Sequence, residues 1–149
     1  MPFLGTRLEW TILRPSGFAQ NFSEGFLLPG ILQDDTVVTA TGDAAAAFID
    51  VDDIAAVAAA ALTESGHAGN AYALTGPEAI TFAEAAAAIA QVTGRIITHR
   101  TISSDEMASI LRGVGMPADY AAMLLRDMEA VRTGSGARVT DVVARVTGR

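Results

Sequence analysis

With 149 residues, half of them apolar, and a net charge of −7, the chain has the composition of one folded domain with its own core rather than of a disordered segment. All ten cations are arginines, spread among 17 acids with no basic cluster, which argues against a grip on nucleic acid; the lack of lysine excludes Schiff-base, Ser–Lys and Tyr-x-x-x-Lys chemistry. Cysteine is absent, and with it disulfides, thiolate metal sites and cysteine nucleophiles.

The longest apolar run, the alanine-rich stretch from Ile54 to Leu62, is too short to span a bilayer, so no membrane partner is expected. The start of the chain carries no basic segment followed by a long apolar one, and the cytoplasm is the expected compartment.

In chain order, Trp10 to Leu13 is a β-branched and aromatic run that predicts a buried strand, which Pro15 should end at about Arg14. Ser16 and Gly17 read as a turn. Phe18, Phe22, Phe26 and Leu27 fall at helical spacing, predicting a helix from Phe18 to Gln33 broken or kinked at Pro29-Gly30. Thr36 to Ala40 and Phe48 to Val51 predict strands, and Asp52-Asp53 opens a helix to about Glu64, with the acids placed well for its dipole. Ala71 to Leu74 is a further strand. Thr81-x-x-Glu84 is a capping box for a helix closed by Gly94, and Arg95 to Ile102 alternates as a strand. Ser103-x-x-Glu106 opens a helix ending near Gly113 to Gly115. Pro117 begins another to about Arg132, Thr133 to Ala137 is a loop, and Thr140-Asp141 starts a last short helix. The class is α/β, as a single domain over residues 1–149.

The stretch Trp10-Thr11-Ile12-Leu13-Arg14-Pro15, with Phe18 and Asn21-Phe22 after it, resembles a segment of the NmrA-like, atypical short-chain dehydrogenase/reductase proteins. Phe48-Ile49-Asp50-Val51-Asp52-Asp53-Ile54-Ala55, Tyr72-Ala73-Leu74-Thr75-Gly76-Pro77-Glu78 and Val92-Thr93-Gly94-Arg95 are similar to further segments of that family, in the same order. The resemblance runs from about Leu8 to Arg149 and falls on the family's C-terminal, substrate-side half. It implies a partial Rossmann-like fold without the glycine-rich dinucleotide-binding half. Full-length relatives bind NAD(P); the resemblance leaves none expected for this chain alone.

Several residues could carry chemistry. Gly113-Val114-Gly115-Met116-Pro117-Ala118 matches G-x-G-x-x-A by letter, but it follows a helix, and Pro117 removes a needed N–H, so an inter-helix turn is the better reading. Asp50, Asp52 and Asp53 could hold a hard metal, but at a strand-to-helix junction they fit capping better, and no metal is expected. His67 and His99 lack partners at ligand spacing; His99 could serve as an acid or base if it faced a pocket. Arg14 should reach a carboxylate or backbone oxygens. The turn after the first strand lies where α/β folds collect ligands, and in the family it passes beside the nicotinamide and the substrate. The expected binding residues are therefore Ser16, Gly17, Phe18, Gln20, Asn21, Phe22 and Phe26, with Tyr72 adding apolar area. No catalytic residue is assigned.

Three functions follow from this reading. The chain is part of an NAD(P)-dependent oxidoreductase, or a cofactor-free protein that binds, isomerises or cyclises an apolar small molecule, or a regulatory or assembly module. A homodimer is expected, because the first strand would lose its sheet neighbours and expose an edge.

Overall fold

The computed structural model describes residues 9–148. Strand β1, Ile12–Pro15, pairs in parallel with β4, Ala71–Leu74, in the register Ile12 to Ala71 through Pro15 to Leu74. The strand runs two residues later than Trp10 to Leu13 and includes the proline. The Ile12 and Ser16 amides bond the Asn70 and Leu74 carbonyls, both at 2.9 Å. Strand amides alternate in direction, so the nitrogen of Pro15 faces away from β4 and no ladder bond is lost.

The segment after β1 is not one helix. A 3-10 turn spans Ala19–Phe22, and helix α1 begins only at Leu28, running to Asp34. Pro29 sits in its first turn, where a missing N–H costs nothing, so it starts the helix instead of breaking it. Gly30 lets α1 lie against the next strand: a Cβ there would sit 2.7 Å from the Thr36 carbonyl oxygen.

β2, Thr36–Thr39, pairs in parallel with β6, Thr98–Thr101. The strand expected over Arg95 to Ile102 is thus shorter. Arg95 turns aside, bonding the Ile31 carbonyl at 2.9 Å and pairing with Asp35 at 2.6 Å. The strand expected over Phe48 to Val51 is also replaced. β3 is Ala45–Ala46, antiparallel to β5, Ile80–Thr81, while Ile49 makes a single parallel bridge to Phe18.

Helix α2, Val51–Thr63, is capped by Asp50, whose carboxylate accepts the Asp52 amide at 2.8 Å; Asp52 and Asp53 occupy its first turn. α3, Phe82–Thr93, opens on the Thr81–Glu84 capping box and closes on Gly94 in the left-handed region. The Thr81 amide and hydroxyl both bond the Glu84 carboxylate and hold its pKa below the usual range. α4, Ser104–Gly113, and α5, Ala118–Arg132, pack together, and α6, Val142–Thr147, packs on α2 and β4. Ser103 caps α4, while Glu106 pairs with Arg100 at 3.6 Å.

The buried side chains form three clusters. One gathers Leu27, Ile31, Val37 and Phe82; a second gathers Met107, Leu111, Leu124 and Met128; a third holds Ile49, Val57, Leu74 and Val142. Residues of all three line one cavity. Among the described residues, no helix is long and apolar enough to cross a membrane.

Candidate functional site

That cavity, of about 470 Å³, opens at the carboxyl ends of β1 and β4. Arg14, Pro15, Ser16 and Gly17 form one wall. Leu27, Phe48 and Phe82 come from the first cluster and its rim, Ala73 to Thr75 from β4, and Leu124, Asp127 and Met128 from α5. Parallel pairing fixes this location: both strands end at the same level, so their following turns diverge and leave a crevice. The wall is mostly apolar, with Arg14, Ser16, Asn21, Thr41, Thr75, Asp127, Ser135 and Arg138 as its polar residues.

Of the residues expected from sequence, Ser16, Gly17, Asn21 and Phe26 line the cavity. The Ser16 hydroxyl donates to the Ala47 carbonyl, tying the turn to the segment before Phe48. The other four lie elsewhere. Gln20 is committed to the start of α2: its amide nitrogen donates to Asp50 Oδ1 and its oxygen accepts the Val51 amide, both at 3.1 Å. Phe22 belongs to an aromatic trio with Phe48, centroids 5.1 Å apart, and Phe82, at 6.0 Å. Phe18 is 40% exposed, since its backbone bridges to Ile49 and turns the ring outward. The Tyr72 hydroxyl meets His67 Nδ1 at 2.9 Å, and its ring packs against the Ile49–Leu74 cluster.

The sequence reading missed the α5 wall and a buried hydroxyl pair. Thr39 and Thr41 are 0% and 1% exposed, and their Oγ1 atoms lie 2.7 Å apart. Thr39 Oγ1 also meets His99 Nε2 at 2.9 Å, and Thr41 lines the cavity. His99 stacks on Phe82, centroids 5.8 Å apart, and burial pushes its pKa below the ordinary imidazole range while the Asp43 carboxylate acts against that shift. Alternating threonines at the end of a predicted strand were the one signal of this pair.

A dinucleotide pyrophosphate needs a strand, a glycine turn and a helix N-terminus in succession. The described residues do not fit that group. Gly113 to Ala118 joins two helices, and Pro117 caps the second without an N–H to offer. Ser135–Ala137, in the other glycine-rich stretch, is a 3-10 turn against β3. Gly17 follows β1 but leads only into the four-residue 3-10 turn. None of the three supplies the full succession.

No protein-family model matches the chain. It is 43% identical to the uncharacterized oxidoreductase YesF of Bacillus subtilis over 95% of this chain and 49% of that protein. It is 40% identical to the (4-alkanoyl-5-oxo-2,5-dihydrofuran-3-yl)methyl phosphate reductase of Streptomyces griseus, over 95% and 49%. Its fold is similar to that of the NADPH-dependent quinone oxidoreductase of Escherichia coli, with a TM-score of 0.87 and 26% identity, covering 99% of this chain and 53% of that one. These matches define a partial Rossmann-like α/β fold of the reductase type. The chain belongs to the NmrA-like family of NAD(P)-dependent reductases, and it spans about half the length of the curated relatives it matches.

Proposed function

We propose that the chain forms the substrate-binding portion of an NAD(P)H-dependent reductase and takes an apolar small molecule in the cavity beside Ser16 and Gly17. The observation that carries this reading is the cavity's place, at the carboxyl ends of the parallel pair β1 and β4, in a chain whose relatives include reductases. Ligands of open α/β sheets bind in such crevices. Its size and largely apolar wall suit a one- or two-ring compound, held by apolar burial and oriented by a few polar groups. The same reading leaves the dinucleotide to other residues than those of this chain, because the glycine-rich stretches present join helices or form a 3-10 turn.

A crystal structure of the chain grown with 1,4-naphthoquinone tests the proposal. The absence of cysteine and lysine removes the side chains that such a quinone would alkylate. The expected result is ligand density between the Ser16–Gly17 turn and Met128. Density confined to the second hollow, between Trp10, Leu62 and His67, would contradict it.

A further inference from the structure

A second hollow, of about 510 Å³, lies at the amino end of β1, the opposite end of the strand from the substrate cavity. Glu9, Trp10, Thr11 and Leu13 form one side of it, and Ala58, Ala61 and Leu62 of α2, with the C-cap Glu64, form another. Ser65 to Ala68, on the way from α2 to β4, complete the lining. These parts are bonded to one another. The Thr11 hydroxyl donates to the His67 carbonyl at 2.8 Å, and the Gly69 amide donates to the Trp10 carbonyl at 2.7 Å. The His67 ring is held in turn by the Tyr72 hydroxyl, 2.9 Å from Nδ1.

The charge of this hollow is one-sided. Its lining includes two acids, Glu9 and Glu64, and no arginine, in a chain without lysine. Among the described residues neither carboxylate takes part in an ion pair. The end of α2 adds to the same sign. The last carbonyls of a helix lack partners within it and carry a partial negative charge, which favours a cation there. α2 has no basic residue in its last turn and has Glu64 at its C-cap instead. Trp10, half-buried in the same lining, adds an indole face, the aromatic surface that attracts cations most strongly. Leu13, Ala58, Ala61 and Leu62 supply apolar surface, and Leu62 is 86% exposed. An anion would meet like charge here, and a neutral apolar molecule would leave both carboxylates without a counter-charge.

We propose that this hollow is a binding site for an organic cation with an apolar body, of the alkyl- or arylammonium class. Glu9, Glu64 and the end of α2 supply the counter-charge, Trp10 the aromatic face, and Leu13 and Leu62 the apolar contact. The site lies away from the carboxyl ends of the strands, where open α/β sheets collect their ligands, so it does not depend on the reading of the substrate cavity. One cation–π contact and two partly exposed charge pairs support a preference of about five- to thirtyfold for a cation over a neutral molecule of the same shape.

Choline and 3,3-dimethyl-1-butanol test this on the intact chain, since they share a shape and a hydroxyl and differ in charge. Trp10 is the single tryptophan, so its indole N–H gives one NMR signal that follows occupancy. The Met128 methyl follows the substrate cavity. Choline should shift the indole signal saturably, with the stated preference over the alcohol, and leave Met128 in place. Added salt should narrow that preference, because exposed charges are screened. Glu9 and Glu64 are both exposed, so the double variant Glu9→Gln with Glu64→Gln should keep its circular dichroism spectrum and bind choline no better than the alcohol. Any one of four results overturns the proposal: no indole shift with choline, equal affinity for the two compounds, a preference that survives the double variant, or choline shifting Met128 in place of Trp10.

Discussion

Gly76→Ala is expected to lower stability by at least about 3 kcal/mol, a drop in melting temperature of about 10 °C for a domain of this size. Gly76 follows β4 and is buried against the segment entering α2. A Cβ at this position would overlap the Phe48 carbonyl oxygen and lie 2.9 Å from its carbon. Both atoms are backbone, held by the Ile49 amide bond to the Gly17 carbonyl at 2.9 Å and the Ala19 amide bond to the Ile49 carbonyl at 2.8 Å. Relief would require moving the turn that forms the cavity wall. Gly113→Ala is the control, because a Cβ there meets nothing within 4 Å; its melting temperature should stay the same or rise slightly. Thermal unfolding followed by circular dichroism reads both, and equal melting temperatures for the two variants would refute the argument.

Leu74→Ala should cost about 3 kcal/mol. Leu74 is fully buried at the end of β4, where it joins Ile49, Val57 and Val142 and also lines the cavity. Truncating a buried leucine costs about 2–5 kcal/mol, more where the hollow cannot collapse. Against a typical total of about 5–15 kcal/mol, this is a large fraction. Urea titration should show a lower midpoint with an unchanged slope, as expected when stability changes and the unfolded state does not. A midpoint within error of the natural chain would show that the contacts around Leu74 carry little energy.

Both effects arise where sequence and structure agree least simply. The turn after β1 was legible, because a strand ending near a proline and followed by Ser-Gly has few other places to go in an α/β fold. The Thr81–Glu84 box and the Gly94 stop were legible for a similar reason: each is a local bond pattern that needs no distant partner. The roles of Gln20 and Phe22 were not legible. Both lie one turn past the strand, as a ligand wall would require, yet Gln20 is claimed by the amide of Val51 and Phe22 by Phe48 and Phe82. Those partners are 26 to 60 positions away, beyond the reach of spacing arguments. The same holds for Thr41 and His99, brought together only by the parallel register that sets Val37 opposite His99. Pro29 misled for a different reason: its helix begins one residue before it, so the signal for a break was the signal for a start.

The central claim is that this chain carries a site for an apolar molecule and leaves the dinucleotide to residues outside it. Calorimetric titration of the same preparation with 1,4-naphthoquinone and, separately, with NADPH tests both parts at once. The account predicts single-site binding of the quinone and no NADPH binding in the low micromolar range, where the free energy would be about −8 kcal/mol. Low-micromolar NADPH binding, with no heat from the quinone, would contradict it.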